Sequence, residues 1–218
     1  QVCVLNDSVR QFLLAAGRSE EQVVVTGNPG FDALNAPSAV TRGRQIREER
    51  GWVHRRVILW PMQVEPAFHP FDGRPGDPSL PQRALAAVEQ WVLARADCVL
   101  CIRPRAGEIL TDVCTDTRIL VTGQDWPLAP LLHAADAVVT LNSTVGLEGH
   151  LAGCRLIQVL GSVFDHAMPL ARFGIADAAV PVDEISGALD RWIDAPRLET
   201  HEQSSAAERV LAVMGKFL

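Results

Sequence analysis

Three short stretches carry side chains able to hold an anionic ligand. The densest is Asn142-Ser143-Thr144, with Glu148 one helical turn further on. It stands where an apolar, β-branched run over 137–141 gives way to Val145, Leu147, His150 and Leu151 at helical spacing, closed by Gly153. Backbone N–H groups at a helix N-terminus bind phosphate, helped by the helix dipole. Ser and Thr are also ordinary helix caps, so the turn alone reads as structure at least as readily as function. A second stretch, Arg103-Pro104-Arg105, follows the apolar run 98–102. Its guanidinium groups suit a diphosphate or a carboxylate, with which they pair bidentately. The third, residues 62–81, carries Gln63, Glu65, His69, Phe71 and Asp72 among five prolines. Loops of that length inside a domain are more often functional than idle.

The elements that must position these groups follow from periodicity. Residues 2–5 read as a strand and 6–16 as a capped helix stopped at Gly17. Residues 22–26 form a second strand, ending in the turn Gly27-Asn28-Pro29-Gly30-Phe31-Asp32. A polar helix over 41–50 leads to the strand Val57-Ile58-Leu59-Trp60, and an amphipathic helix covers 83–96. Strands over 98–102 and 118–121 precede a helix over 127–135. The run 137–141, its turn and helix, and Leu156-Ile157-Gln158-Val159-Leu160 make a βαβ unit, which requires parallel strands. The stretch 162–174 holds Asp165, His166 and Pro169; a short strand over 180–182 and helices over 183–194 and roughly 200–217 finish the chain. Short strands alternating with helices predict a single Rossmann-like, doubly wound α/β domain with a mainly parallel sheet. All three stretches then fall at carboxyl ends of strands, where such sheets place ligands.

Composition narrows the function. The 218 residues are 48% hydrophobic, enough for a sizeable core. The net charge is −6, with no basic block, which argues against nucleic acid as the main partner. No apolar run reaches the roughly 20 residues that span a bilayer. Five cysteines are scattered; Cys98 and Cys101 lie three apart on a strand and so face opposite ways. That favours buried thiols over a shared metal or disulfide and fits a reducing cytoplasm, with peripheral association at the inner membrane face left open. No carboxylate cluster suggests a metal site. The chain opens on Gln1 inside a strand, which reads as a piece of a longer protein.

Taken together, the motifs resemble the carboxy-terminal half of a two-domain GT-B glycosyltransferase. More narrowly, they resemble the bacterial capsule polysaccharide biosynthesis family, whose members transfer Kdo from CMP-Kdo. Trp60-Pro61-Met62-Gln63-Val64 with His69-Pro70-Phe71 is similar to that family's P-L-Q and H-S-P-F segments. The run from Val139 through Asn142-Ser143-Thr144-Val145-Gly146-Leu147-Glu148 is similar to its N-S-[ST]-x-G-x-E-[AG]-L turn and helix, and Val159-Leu160-Gly161 continues the match. Val25-Thr26-Gly27-Asn28-Pro29 is similar to segments of GT-B proteins more widely, including UDP-N-acetylglucosamine 2-epimerases.

The resemblance implies that residues 1–218 are the donor-nucleotide-binding domain, closed by helices over 183–218, with an amino-terminal acceptor domain missing. The donor would be a nucleotide sugar linked through CMP or UDP, and the acceptor a saccharide or glycolipid. Asn142, Ser143 and Thr144 would hold donor phosphate and Glu148 the ribose hydroxyls. Gln63 and His69 would lie beside the phosphate or sugar, Arg103 or Arg105 would meet the leaving nucleotide's charge, and residues 122–126 would receive the base. The general base would lie on the missing half, with His69 the candidate within this one, and no cofactor or metal is required. The chain departs from the family at Arg103-Pro104-Arg105, where members carry Lys/Arg-x-His-Pro. Either Arg105 replaces that cation or the donor differs. An epimerase is the second reading, although epimerases carry Gly-Gly-x-x-Glu-Glu where this chain has one Glu, Glu148. A non-catalytic sugar-nucleotide-binding or scaffold domain is the third.

Overall fold

A computed structural model of the chain describes residues 1–108, 115–123, 125–199 and 205–216. β1 (Val2–Val4) leads to α1 (Asp7–Ala15), entered through Asn6, whose Oδ1 accepts the Val9 N–H at 2.9 Å. β2 (Val23–Val25) runs parallel to β1, and the two form a sheet of their own. The turn after β2 includes a 3-10 segment, Pro29–Phe31, capped by Asn28, and needs Gly27 at φ +75°.

The remaining strands build one parallel sheet. α2 (Pro37–Glu49) precedes β3 (Arg56–Pro61); α3 (Leu80–Leu93) precedes β4 (Cys98–Arg103). β5 (Ile119–Val121), α4 (Leu128–Ala134), β6 (Ala137–Thr140), α5 (Thr144–Leu151) and β7 (Arg155–Val159) follow. β8 (Ala178–Val180), α6 (Ile185–Trp192) and α7 (Ala206–Met214) end the fold. The sheet order is β5-β4-β3-β6-β7-β8. Strands are added outward in one direction from β3 and in the other from β6, so the topological switch lies between those two.

Two apolar layers sandwich this sheet. Ile58, Trp60, Leu100 and Ile102 face α3 and α6 on one side, whereas Val57, Leu59, Val99 and Val138 face α2 and α4 on the other. Cys98 and Cys101 divide between the two layers, as their spacing requires, and burial pushes both thiols up to about 12. Cys114 lies outside the described residues. Partly buried charges tie the amino ends of the strands. Asp136 accepts the Val57 N–H at 2.8 Å and pairs with Arg47 at 3.1 Å; Asp177 accepts the Leu156 N–H and pairs with Arg155, both at 2.8 Å. Arg197 donates to Ala135 O and, at 2.7 Å, to Ala152 O, which satisfies carbonyls at the ends of α4 and α5.

The structure corrects five expectations. α2 starts at Pro37 rather than at 41, with its proline in the first turn. The described strands form two sheets rather than one, because β1 and β2 pair only with each other. α3 starts at Leu80, since Pro81 in a first turn lacks only an N–H that would have no partner there. The last strand is Ala178–Val180, and Val182–Glu184 is a 3-10 turn instead. The final helix begins at Ala206, where the Ser205 side chain caps it; residues 200–204 and 217–218, included in the expected helix, lie outside the described residues.

Candidate functional site

The switch between β3 and β6 brings two of the three stretches into direct contact. The Gln63 Oε1, just beyond β3, accepts the Asn142 N–H at 3.0 Å, and its Nε2 donates to Pro61 O at 3.1 Å. The oxygen thus joins the two strand ends, and the nitrogen is held by the end of its own strand. Next along, the Ser143 N–H donates to Thr140 Oγ1 at 3.2 Å, and Ser143 Oγ accepts the Val145 N–H at 3.2 Å as the cap of α5. The Asn142 Nδ2 donates to Ser162 Oγ at 2.8 Å. The expected cradle of free N–H groups is therefore smaller than the residue types suggested, because Asn142 and Ser143 spend theirs inside the fold. Thr144 is exposed, and among the described residues its N–H has no partner. It opens α5, so the helix dipole adds to that donor.

Glu148 lies one turn below Thr144 on α5 and is half-buried. Burial pushes its carboxyl above the usual range, while the Arg103 charge pulls it back. Arg103, the last residue of β4, feels the converse: burial lowers its guanidinium and Glu148 raises it. They form no direct ion pair among the described residues, and the Arg103 Nη1 donates instead to Trp126 O at 2.8 Å. The loop expected to receive a base is thereby fastened to β4, and Thr122 is tied to the same strand through its N–H and Ile102 O at 2.9 Å. Gln124 lies outside the described residues.

Two candidates are drawn elsewhere. Arg105 turns to Glu108 in its own loop, with Nε 3.3 Å from Glu108 Oε2, and its side chain is about half exposed. His69 sits in a small hairpin rather than in an irregular loop. Its N–H donates to Arg74 O at 2.8 Å, and Phe68 bridges antiparallel to Pro75. The imidazole is nearly buried, with Nδ1 2.8 Å from Asp72 Oδ1 and the Phe164 ring centroid 5.4 Å away. Gly73, at φ +70°, allows the hairpin to close. Among the described residues no group of three His, Cys, Asp or Glu side chains could hold a metal ion.

Sequence reasoning missed how Glu65 and Ser162 serve this region. Glu65 is only 3% exposed and accepts the Ser162 hydroxyl and the Val163 N–H, each at 2.7 Å. An acid flanked by Val64 and Pro66 in a proline-rich loop gave no local signal of burial. A cavity of about 900 Å³ also lies away from the turn, lined by Asn6, Asn28, Leu151 and Arg209 where β1 and β2 end. The Gly27-Asn28-Pro29 turn borders that cavity.

No family model and no curated protein match the chain. Solved structures do. UDP-GlcNAc 2-epimerase from Methanocaldococcus jannaschii, in complex with UDP-GlcNAc and UDP, superposes with a TM-score of 0.63 at 10% identity, over 99% of this chain and 60% of its own. S. aureus MnaA with UDP gives 0.59 at 15% identity, over 95% and 56%. The H548A variant of the wall teichoic acid polymerase TagF gives 0.52 at 14%, over 98% and 57%. What is shared is the fold. It is the Rossmann-like fold of one half of the GT-B architecture, and this chain spans about three fifths of the length of those proteins or slightly less.

Proposed function

We propose that this chain is the donor-binding part of a nucleotide-sugar-dependent glycosyltransferase acting in capsule or surface polysaccharide assembly. One observation carries the reading: at the topological switch, α5 opens with a Thr144 N–H that has no partner among the described residues, while Glu148 on the same helix and Arg103 on β4 feel each other's charge. Thr144, with the Ser143 hydroxyl, would hold a donor phosphate, and Glu148 would take the ribose hydroxyls. Arg103 would stabilise the negative charge developing on the leaving nucleotide, with the 122–126 loop beside the base. Asn142 and Gln63 would shape the turn, and His69 would lie beside the phosphate or sugar, whereas Arg105, held by Glu108, would leave the nucleotide's charge to Arg103. The acceptor, a saccharide or glycolipid, and the general base would be supplied from outside residues 1–218. Closure of two halves would exclude water and align acceptor with donor.

An epimerase acting on a UDP-sugar is the second reading, and the higher TM-scores of the two UDP-bound structures favour it. The single Glu148, in place of a paired acid, favours the transferase. Thermal unfolding against millimolar CMP, UDP, GDP and dTDP tests both. A nucleotide at 100 times its dissociation constant adds about 2.7 kcal/mol of stability. A shift with cytidine nucleotides alone supports a CMP-sugar donor, and one with UDP alone supports a UDP-sugar transferase or epimerase. No shift with any of the four counts against nucleotide binding by this chain and leaves a scaffold role.

A further inference from the structure

Glu65 is a buried carboxylate with no cation paired to it among the described contacts. Such a group is tolerated only where hydrogen bonds replace the water it has lost. Its two oxygens receive them from one short segment, the Ser162 hydroxyl on Oε2 and the Val163 N–H on Oε1, both at 2.7 Å. A carboxylate can only accept, and a hydroxyl has a single hydrogen to give. Because Ser162 donates that hydrogen to Glu65, its oxygen meets every other neighbour as an acceptor. The Phe164 N–H reaches it at 3.1 Å and the Asn142 Nδ2 at 2.8 Å. The polarity therefore runs one way, from Asn142 through Ser162 to Glu65, and it fixes which end of the Asn142 amide faces the loop after β7.

The Asn142 backbone is held independently by Gln63. Loops from β3 and β7 thus grip the residue that opens the turn after β6, through its main chain and its side chain. Neither Glu65 nor Ser162 belongs to the turn. We propose that Glu65 is a positioning residue, which, through Ser162 and Asn142, sets the shape of the Asn142-Ser143-Thr144 turn and so the aim of the Thr144 N–H. The effect on turn shape stands on the hydrogen bonds alone; the effect on nucleotide affinity rests on the function proposed above.

Glu65→Gln is nearly isosteric but places an N–H₂ group against one of two donors, so the relay must reverse or break. Amide hydrogen exchange, read without any ligand, is the first test. Exchange of the hydrogen-bonded amides of Asn142, Ser143, Val145 and Gly146 is expected to rise about tenfold or more, with β3 protection over 58–60 unchanged. Nucleotide titration, using whichever of the four stabilises the wild-type chain, is the second. Glu65→Gln is expected to weaken binding about fivefold, yet to add less than about twofold to the loss caused by Asn142→Ala, because the two lie on one path. Thr144→Pro, which removes the N–H itself at a first helical position where proline is tolerated, should add fully to Glu65→Gln. Unchanged exchange of those amides, or additive losses for Glu65→Gln and Asn142→Ala, overturns the relay. If the wild-type chain binds no nucleotide, the donor-site reading fails and the exchange result alone decides the relay. If Glu65→Gln does not fold, Ser162→Ala removes the middle of the path and carries the same measurements.

Discussion

At the scale of single residues, Ser143 and Thr144 look alike in sequence but have different duties. The Ser143 hydroxyl caps α5, so Ser143→Ala is expected to lower stability by about 1 kcal/mol in urea unfolding. Thr144 is exposed and opens α5, so Thr144→Pro, which removes its N–H where a helix tolerates proline, should leave stability within about 0.5 kcal/mol while weakening nucleotide binding about tenfold by calorimetry. Glu148 adds a pH signature. Burial raises its carboxyl pKa above the unfolded value, so the folded state holds the proton more readily. The stabilising contribution is present below the unfolded pKa and is lost as pH rises through the folded one. At neutral pH the buried charge therefore opposes folding. Glu148→Gln is expected not to lower the melting temperature at about pH 7, and to flatten its fall just above the usual carboxylate range. Asp165, also raised chiefly by burial, contributes similarly, so the difference between variant and wild type is the curve to read. A clear drop in melting temperature at neutral pH would contradict this account of Glu148.

At the scale of elements, α5 is a short helix pressed unusually close to the sheet. A Cβ on Gly149 would stand 2.6 Å from Val138 Cγ2, and one on Gly146 would stand 2.7 Å from Thr140 Cγ2. Replacing a helical Gly by Ala ordinarily gains about 1 kcal/mol of helix propensity. Here overpacking of roughly 1–3 kcal/mol opposes that gain. Gly149→Ala is expected to destabilise by about 1 kcal/mol net in urea unfolding, and a stabilised variant would mean that α5 stands further from β6. The glycines were legible as helix positions in the sequence. Their reason was not, because it lies in Val138 and Thr140 on the neighbouring strand. The same holds for the loop after β3, read as irregular, whose hairpin depends on Phe68 meeting Pro75 and on Gly73 at positive φ.

At the scale of the whole molecule, the two sheets differ in support. β3, β6 and β7 are covered on both faces and have neighbours on both edges, whereas β1 and β2 are three-residue strands paired only with each other. Local opening should follow that difference. Amides of β2 are expected to exchange at least about a hundredfold faster than those of β3, while β3 and β7 share the global unfolding rate. Equal protection in β2 and β3 would show that the small sheet is held as firmly as the large one. Among the described residues no helix is long and apolar enough to cross a membrane.

Element type, approximate limits, the parallel class and the turn at Asn142-Ser143-Thr144 were all determined by the sequence, because hydrophobic period and capping chemistry act over a few neighbours. The shared edge of the three stretches was also legible, since each follows a strand. Which strands adjoin was decided only by the tertiary structure, as were the separation of β1 and β2, the turning of Arg105 to Glu108 and the engagement of the Asn142 and Ser143 N–H groups. Gln63 meets Asn142 across 79 residues, and Glu65 meets Ser162 across 97. Whether a polar group is spent on the fold or left for a ligand depends on its final neighbours, and no local pattern encodes partners so distant.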